Sequence, residues 1–279
     1  MTVRIVTDSS CDLPQELADS LGITIVPLKV RFGDDEYVDR ETITTDEFWK
    51  KCAASPVLPE TAAPSPGDFD LRFQQLVAAG ATGIVVLNLS SDLSGTMQSA
   101  QIAARDFAGG VPVHIVDSRT ATMGLGLIAV ECAKKANAGA SIEEILALAN
   151  SLVPRMRVVG ALDTLDNLKK GGRIGGAKAM LASALSIKPL IEITNGLVEE
   201  AGKQRTRSKA LAHLITVLKE NANSIEQLGV LHAQCADIDA FVAMVKEVYS
   251  GEIIVGDIGA VIGTHAGQGT IGIAFRLKA

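Results

Sequence analysis

Residues 84–96 read IVVLNLSSDLSGT, so an apolar, β-branched run changes abruptly into a cluster of hydroxyl side chains. Ile84 to Leu87 have the composition of a buried strand, and Thr96 opens a predicted helix at 96–107. Free N–H groups at a helix start carry about half a positive charge, and Ser or Thr side chains add donors. The segment therefore predicts a site for an anion, either a phosphate or a carboxylate.

Two other segments repeat this change from a short apolar run to polar residues. Val3 to Val6 lead into Thr7-Asp8-Ser9-Ser10, and Val113 to Val116 lead into Asp117-Ser118. Continuous apolar runs are typical of parallel strands buried on both faces. Each run precedes a predicted helix, at residues 14–21, 96–107 and 121–137. The pattern is βαβ, and the polar strand ends should meet at the ligand-binding edge of one sheet.

The second half of the chain has a different pattern, which starts after a predicted helix at 142–152 and Pro154. Its predicted strands are residues 158–162, 187–194, 197–203, 228–232, 253–256 and 270–275, with helices at 208–219 and 238–248. Asn195-Gly196 separates two of these strands and is a strong hairpin signal. We therefore expect two domains, a parallel-sheet α/β domain at 1–153 and an α+β domain with antiparallel pairing at 154–279.

Composition excludes several classes of function. The net charge of −6 disfavours a general affinity for nucleic-acid phosphates, and 4% aromatic residues provide few platforms for stacking bases. The four cysteines lie far apart without a C-x-x-C pair, so neither a disulfide framework nor a metal site is predicted. The start lacks the pattern of a secretory signal, and no run of about 18 apolar residues occurs. We expect a cytoplasmic protein without an integral membrane segment.

Two polar segments are candidates for ligand contact. Residues 55–66 contain four prolines and predict a stiff loop, which would either present the hydroxyl of Thr61 at a fixed place or serve as an exposed connector. Residues 169–176 read KKGGRIGG and could grip an anion through Arg173. The same letters also describe a helix that ends in a left-handed glycine with lysines in its last turn.

One histidine has a setting suited to a ligand contact. His265 lies in GTHAGQG at 263–269, which predicts a glycine-rich turn, although a histidine satisfied within the fold is the alternative. Nucleotide motifs are weak: GLGLIA at 124–129 fits G-x-G-x-x-A but begins too far beyond its strand. The sequence contains no P-loop, so no ATP site of that kind is predicted.

Taken together, the motifs resemble those of the DegV family, whose members include the fatty-acid-binding subunits of bacterial fatty acid kinase. The resemblance extends over essentially the whole chain and rests on Thr7-Asp8-Ser9, TAAPSP at 61–66, LSGTMQSA at 93–100, VDS at 116–118, GGRI at 171–174 and GTHAG at 263–267. It implies two domains with a long-chain fatty acid between them.

The resemblance also implies roles for individual residues. Thr61 and Ser94 would bind the carboxylate, Arg173 and His265 would be its outer polar partners, and Gly95 and Thr96 would support them. Met97, Gln268 and Thr270 depart from the residues associated with the family, which affects the expected chain length and loop geometry more than head-group binding.

The function we expect is that of a carrier without catalytic activity of its own and without a cofactor or metal. It would bind a palmitate-like acid and present the carboxylate to a separate ATP-dependent kinase that forms acyl phosphate. KQRTRSK at 203–209 would either contact that kinase or form a solvated helix start. The alternatives are a serine-dependent acyl hydrolase or transferase using Ser94 and His265, and a regulatory protein that senses a small acid.

Overall fold

The structure, a computed structural model, describes residues 2–182 and 187–279. The strands are β1 Val3–Asp8, β2 Thr24–Val26, β3 Lys29–Phe32, β4 Asp35–Val38, β5 Glu60–Ala62, β6 Gly83–Asn88, β7 Val113–Asp117, β8 Met156–Ala161, β9 Lys188–Thr194, β10 Leu197–Gln204, β11 Ile225–His232, β12 Ile253–Asp257 and β13 Ile271–Leu277. The α-helices are α1 Gln15–Leu21, α2 Thr45–Ala54, α3 Pro66–Ala78, α4 Thr96–Asp106, α5 Met123–Asn137, α6 Ile142–Leu152, α7 Asp166–Lys170, α8 Arg207–Asn221, α9 Ile238–Lys246 and α10 Ala260–Ala266.

The first half is built on a parallel four-stranded sheet in the order β2-β1-β6-β7. The predicted βαβ pattern is confirmed, and β1 and β6 are almost entirely buried. The prediction that all three apolar runs are buried on both faces is wrong for β7, where Val113 is half-buried and His114 is exposed. The physical reason is position, because β7 is the edge strand of the sheet.

The second half is built on a six-stranded sheet in the order β10-β9-β8-β13-β11-β12. All neighbours are antiparallel except β11 and β12, which confirms the predicted α+β character. Asn195 and Gly196 have φ values of 52° and 82°, as a two-residue type I′ hairpin requires. The last strand, β13, lies between β8 and β11 in the centre of the sheet.

Helix α5 packs between the two sheets and contacts β1, β6, β8, β11 and β13. Its two glycines allow this close approach. A Cβ atom on Gly126 would lie 2.7 Å from the carbonyl oxygen of Cys11, and one on Gly124 would lie 2.6 Å from Val158. The glycines of the weak nucleotide-like motif therefore serve helix packing.

A third sheet, β4-β3-β5, was not predicted. Within residues 55–66, which the sequence predicts as a loop, Glu60–Ala62 form a strand that pairs with β3 and places Thr61 opposite Val30. The loop prediction is therefore wrong for these three residues, because their partner strand lies about thirty positions away and leaves no local pattern. Pro66 opens α3, and Ser65 and Asp68 form its capping box.

The polar ends of the parallel strands meet, as expected, but they bind one another. Asp8 accepts hydrogen bonds from Ser10, from the Asn88 amide at 3.2 Å and from the Leu89 N–H at 2.9 Å. Ser91 donates to Asp117 at 2.6 Å. Burial raises the pKa of Asp8, while these hydrogen bonds oppose the shift. These hydrogen bonds therefore stabilise the carboxyl ends of the strands and engage Ser10, Asn88 and Ser91 within the protein.

Asp12 connects three segments at the centre of the molecule. Its side chain accepts hydrogen bonds from the Thr122 hydroxyl at 2.6 Å and from the Gly259 N–H at 3.0 Å. Thr122 immediately precedes α5, and Gly259 immediately precedes α10. Burial raises the pKa of Asp12 to about 7, with the hydrogen bonds from Thr122 and Gly259 acting in the opposite direction. Asp12 therefore fixes the start of α10 relative to the parallel sheet.

We expect the unfolding free energy of the wild type, relative to Asp12→Asn, to fall as pH rises. Below about pH 3.8 the carboxyl is protonated in both states, and between about 3.8 and 7 only the folded state retains the proton. Above this window the folded protein must bury a charge that the amide lacks. Urea unfolding of both proteins across this range measures the difference, and a constant difference would show that Asp12 does not titrate there.

Candidate functional site

A cavity lies between the six-stranded sheet, the start of α5 and helix α10. Its empty volume, with its open mouth included, is about 920 Å³. The lining is mainly aliphatic and comes from both halves of the chain: Leu28, Leu89 and Ala121 from the first half, and Val158, Ile191, Leu231, Ile258 and Val261 from the second. Aliphatic walls with a few converging polar groups are the usual construction of a small-molecule site.

The four predicted site residues Thr61, Ser94, Arg173 and His265 all line this one cavity. Thr61 lies on β5, Ser94 lies in the turn before α4, Arg173 follows α7, and His265 lies in the last turn of α10. Four segments that are remote in sequence therefore supply neighbouring polar groups.

His265 lies on a helix, so the prediction of a glycine-rich turn is wrong at this position. Helix α10 continues to Ala266, and positive φ values occur only after it, at Gly267 with 81° and at Gly269 with 82°. Gly263 lies inside the helix because the rings of Phe48 and Trp49 press against it; a Cβ atom there would be 2.7 Å from the Trp49 ring. Trp49 also donates a hydrogen bond of 3.2 Å to the Ile258 carbonyl. Tertiary packing thus overrides the local glycine signal.

His265 is neutral at pH 7. Burial lowers its pKa to about 4, and the charge of Arg173 acts in the same direction. Its Nε2 atom lies 2.9 Å from the Thr61 hydroxyl, and its buried Nδ1 has no hydrogen-bond partner within the described part of the chain. Placing the proton on Nε2 leaves only a lone pair unpaired at Nδ1. In that tautomer His265 donates to Thr61, which leaves the Thr61 hydroxyl proton available to the cavity.

Ser94 is oriented by its own turn. Its hydroxyl lies 2.9 Å from the Thr96 hydroxyl and accepts a hydrogen bond of 3.3 Å from the Thr96 N–H. Thr96 is fully buried, so it supports Ser94, whereas Gly95 borders a neighbouring polar opening together with Arg173. Gly95 precedes α4 without a side-chain cap. Within the predicted anion-binding segment, Ser94 is the hydroxyl that borders the aliphatic cavity.

The neighbouring Ser90 has a structural role that sequence reasoning missed. It donates a hydrogen bond of 2.7 Å to the Gly196 carbonyl, and Arg119 donates to the Asn195 carbonyl. A Cβ atom on Gly196 would lie 2.5 Å from the Ser90 hydroxyl. The Asn195-Gly196 turn was visible in the sequence, but no local signal showed that it docks against the end of the parallel sheet.

Arg173 supplies positive charge at the cavity mouth. Helix α7 ends at Lys170 and Gly172 has a φ of 70°, which confirms the helix-end interpretation of this segment without removing Arg173 from the site. The exposed guanidinium donates to the carbonyls of Leu93 at 3.1 Å and Gly171 at 2.7 Å. Among residues 2–182 and 187–279, no carboxylate forms an ion pair with it. Its charge is therefore available to an anionic ligand.

The described residues contain neither a metal-binding cluster nor a membrane-spanning helix. No group of three or more His, Cys, Asp or Glu side chains within 2–182 and 187–279 is placed to hold a metal ion. In the same part of the chain, no helix combines the length and the apolar character needed to cross a lipid bilayer.

Comparison with known proteins identifies relatives along the full length of the chain. A family model described as an uncharacterised protein of the DegV family matches residues 2–278. A DegV domain-containing protein from Streptomyces coelicolor is 36% identical over 276 residues, which cover 97% of each chain.

Solved structures show the same fold. A DegV family protein from Thermus thermophilus, described by its fatty acid binding, has 35% identity and a TM-score of 0.88, covering 99% of this chain and 100% of that one. A stearic acid-binding protein from Eubacterium ventriosum has 26% identity and a TM-score of 0.89, covering 98% of each chain. The two-domain mixed α/β architecture is therefore shared by these proteins.

Protonation of His265 should destabilise the fold. In unfolded chains the ring binds a proton near pH 6.5, whereas in the folded protein it does so only near pH 4. We therefore expect the unfolding free energy of the wild type, relative to His265→Gln, to be constant above pH 6.5 and to fall as pH decreases toward 4. Urea unfolding of the pair cancels the carboxylate background, and parallel pH profiles would contradict the buried, neutral state.

Proposed function

Because the chain belongs to the DegV family, we propose that it binds a long-chain fatty acid, with the alkyl chain in the cavity and the carboxylate at its mouth. The observation that carries this proposal is that Thr61, Ser94, Arg173 and His265 line one mainly aliphatic cavity and lie beside one another there. Fatty acid binding by the two structural relatives supports it.

The aliphatic lining suits an alkyl tail. Each methylene transferred from water contributes about 0.8 kcal/mol, so a palmitate-like tail of roughly 15 carbons would contribute about 12 kcal/mol before the costs of association. A shape-complementary apolar wall suffices for this term. The affinity for a given chain then depends on how much of the cavity that chain fills.

The carboxylate is the demanding part of the ligand, since a charge removed from water needs hydrogen bonds and countercharge in compensation. The hydroxyls of Thr61 and Ser94 supply donors, and Arg173 supplies the positive charge. Neutral His265 holds Thr61 in the donating orientation through its 2.9 Å contact. Together, the four residues would replace the water molecules that hydrate the carboxylate in solution.

We further propose that the loaded protein presents its carboxylate to a separate ATP-dependent fatty acid kinase, which forms the acyl phosphate. Arg173 is exposed at the mouth, and a polar opening lined by Ser91, Asp92 and Gly172 adjoins Ser94. The sequence has no P-loop, so the phosphoryl donor would come from the partner. The protein would act as a cytoplasmic carrier without a cofactor, and residues 1–153 and 154–279 would be its two domains.

The geometry favours this role over a serine hydrolase or transferase. Nucleophilic serine chemistry needs a base in contact with the hydroxyl and an acidic group behind the base. Here the Nε2 atom of His265 contacts Thr61, the Ser94 hydroxyl contacts Thr96, and the Nδ1 atom of His265 has no partner among the described residues. Hydrolysis of acyl esters that is lost in Ser94→Ala would nevertheless establish the rival.

Native mass spectrometry of the purified protein tests the proposal directly. We expect a bound long-chain fatty acid, or uptake of one molecule per chain after palmitate is added to delipidated protein. A protein that carries no lipid and takes up none would refute the proposal.

Ser94→Ala and Thr61→Val should each weaken palmitate binding. Each removes a hydrogen bond to a charged group, worth about 1.5 to 3 kcal/mol, so the Kd should rise roughly ten- to more than a hundredfold. Isothermal titration gives the Kd values. Ser20→Ala on α1 and Thr216→Val on α8 are matched controls on exposed helical positions and should bind as the wild type does. Wild-type affinity in both site variants would place the head group elsewhere.

The basic segment 203–209 gives a test of kinase docking. Arg207 is held by Asp237 at 2.6 Å and is only half-exposed, so Arg205 is the better position for charge reversal. We expect Arg205→Glu to slow acyl-phosphate formation roughly tenfold without changing fatty acid affinity, since charges at an interface rim mainly affect association. Lys219→Glu, at the other end of α8, is the control.

If the kinase forms acyl phosphate from loaded Arg205→Glu at the wild-type rate, Arg205 is not part of the docking surface. If the kinase cannot use even the loaded wild type, the protein is better described as a regulatory binder of fatty acids.

A further inference from the structure

Two glycines face each other across neighbouring strands on the floor of the cavity. Gly160 on β8 pairs with Gly272 on β13. On their outer sides, Ile191 of β9 pairs with Gly160, and Leu231 of β11 pairs with Gly272. All four residues line the cavity. A single cross-strand row, defined here as the glycine row Ile191–Gly160–Gly272–Leu231, therefore runs across four strands with bare backbone at its centre.

Neither backbone geometry nor packing explains these glycines. Their φ values lie outside the left-handed region, so any residue could adopt them. A Cβ atom on Gly160 would have its nearest neighbour, Leu162 Cδ1, at 3.5 Å, and one on Gly272 would have the Val159 carbonyl oxygen at 3.5 Å. Both are ordinary contacts, so a methyl group fits without displacing protein atoms.

The adjacent row shows what a glycine required for packing looks like. Gly229 of β11 pairs with Ala274 of β13 on the same face of the sheet, and a Cβ atom there would lie 2.5 Å from Met123 Cγ of α5. Helix α5 covers that row. In the glycine row, by contrast, no atom of α5 is among the nearest neighbours of a Cβ built on Gly160 or Gly272, and both glycines line the cavity. Since glycine weakens a strand and packing does not require it here, the presence of two glycines on this floor points to a role in the cavity.

The row leads from the polar mouth into the core. Ile191 packs in the same apolar cluster as Leu93, which precedes Ser94 and binds Arg173 through its carbonyl. At the other end, Leu231 belongs to the central core with Ala121 and Ile258. Three inter-strand steps of about 4.8 Å make the row about 14 Å long.

We infer that Gly160 and Gly272 determine which lengths of fatty acid the cavity accepts. The alkyl chain would cross the sheet over these two glycines, between the side chains of Ile191 and Leu231. This inference rests on the proposed fatty acid binding. According to this inference, the two glycines leave room for methylene groups remote from the carboxylate. Leu231 limits how far the alkyl chain can extend.

A series of saturated acids from hexanoate to stearate tests the inference by displacement of a fluorescent fatty acid. In the wild type the affinity should rise roughly fourfold per added methylene until the cavity is filled. Gly160→Ala and Gly272→Ala should bind short acids with wild-type affinity. In these variants the affinity should stop increasing at the chain length that reaches the new methyl group. Palmitate affinity should fall roughly tenfold or more.

Two further variants provide a control and an independent test. Gly67→Ala on α3 has a similar clearance of 3.6 Å but lies outside the cavity lining, so its series should match that of the wild type. In Leu231→Ala the affinity should continue to increase up to longer acids than in the wild type. This variant still tests the inference if the glycine variants fail to fold.

The outcomes separate this inference from the proposed function. An equal loss at every chain length, or a series unchanged in both glycine variants, would overturn the role of the glycine row while leaving fatty acid binding intact. A wild type that binds none of the acids would refute the proposed function itself, and the inference with it.

Discussion

The close packing of helix α5 between the two sheets is the constraint on which the site depends. Gly124 and Gly126 let the helix approach Val158 on one side and Cys11 on the other. Met123 then fills the space over Gly229. Because α5 begins at residue 123, Met123 covers Gly229, whereas no atom of α5 is among the nearest neighbours of a Cβ built on Gly160 or Gly272. The cavity is thus the region that the first turn of α5 does not reach, enclosed by α10 and by the ends of the parallel strands.

Burial disfavours charge on two titratable groups close to the cavity, one of which, His265, lines it. Asp12 is buried with its pKa raised to about 7, and His265 is buried with its pKa lowered to about 4, so in both cases burial disfavours the charged form. Arg173 remains exposed and charged at the entrance. A carboxylate at that entrance would meet a cation and hydroxyl donors, whereas an alkyl chain farther inside would meet mainly aliphatic side chains. This distribution of polar and apolar lining residues is suited to the polarity of a fatty acid.

Several elements could be predicted from local pattern alone. The runs that became β1 and β6, the Asn195-Gly196 hairpin and helix α6 at 142–152 were all visible, because each has its periodicity or turn chemistry within a few residues. β5 and α10 were not visible. Strand β5 exists through pairing with β3, and α10 tolerates Gly263 because aromatic rings pack on it.

Local sequence pattern was enough to predict the βαβ character of the first half and the antiparallel hairpin of the second, and the resemblance of the motifs suggested the four polar residues of the candidate site. Tertiary packing was needed to bring these four residues to one cavity, to pair the hydroxyls of 84–96 with protein partners, and to place Gly160 opposite Gly272. The reason is that strand order and packing join residues that lie between 26 and 204 positions apart in the chain. Such contacts depend on how the sheets and α5 pack, and they leave no periodic signal along the chain.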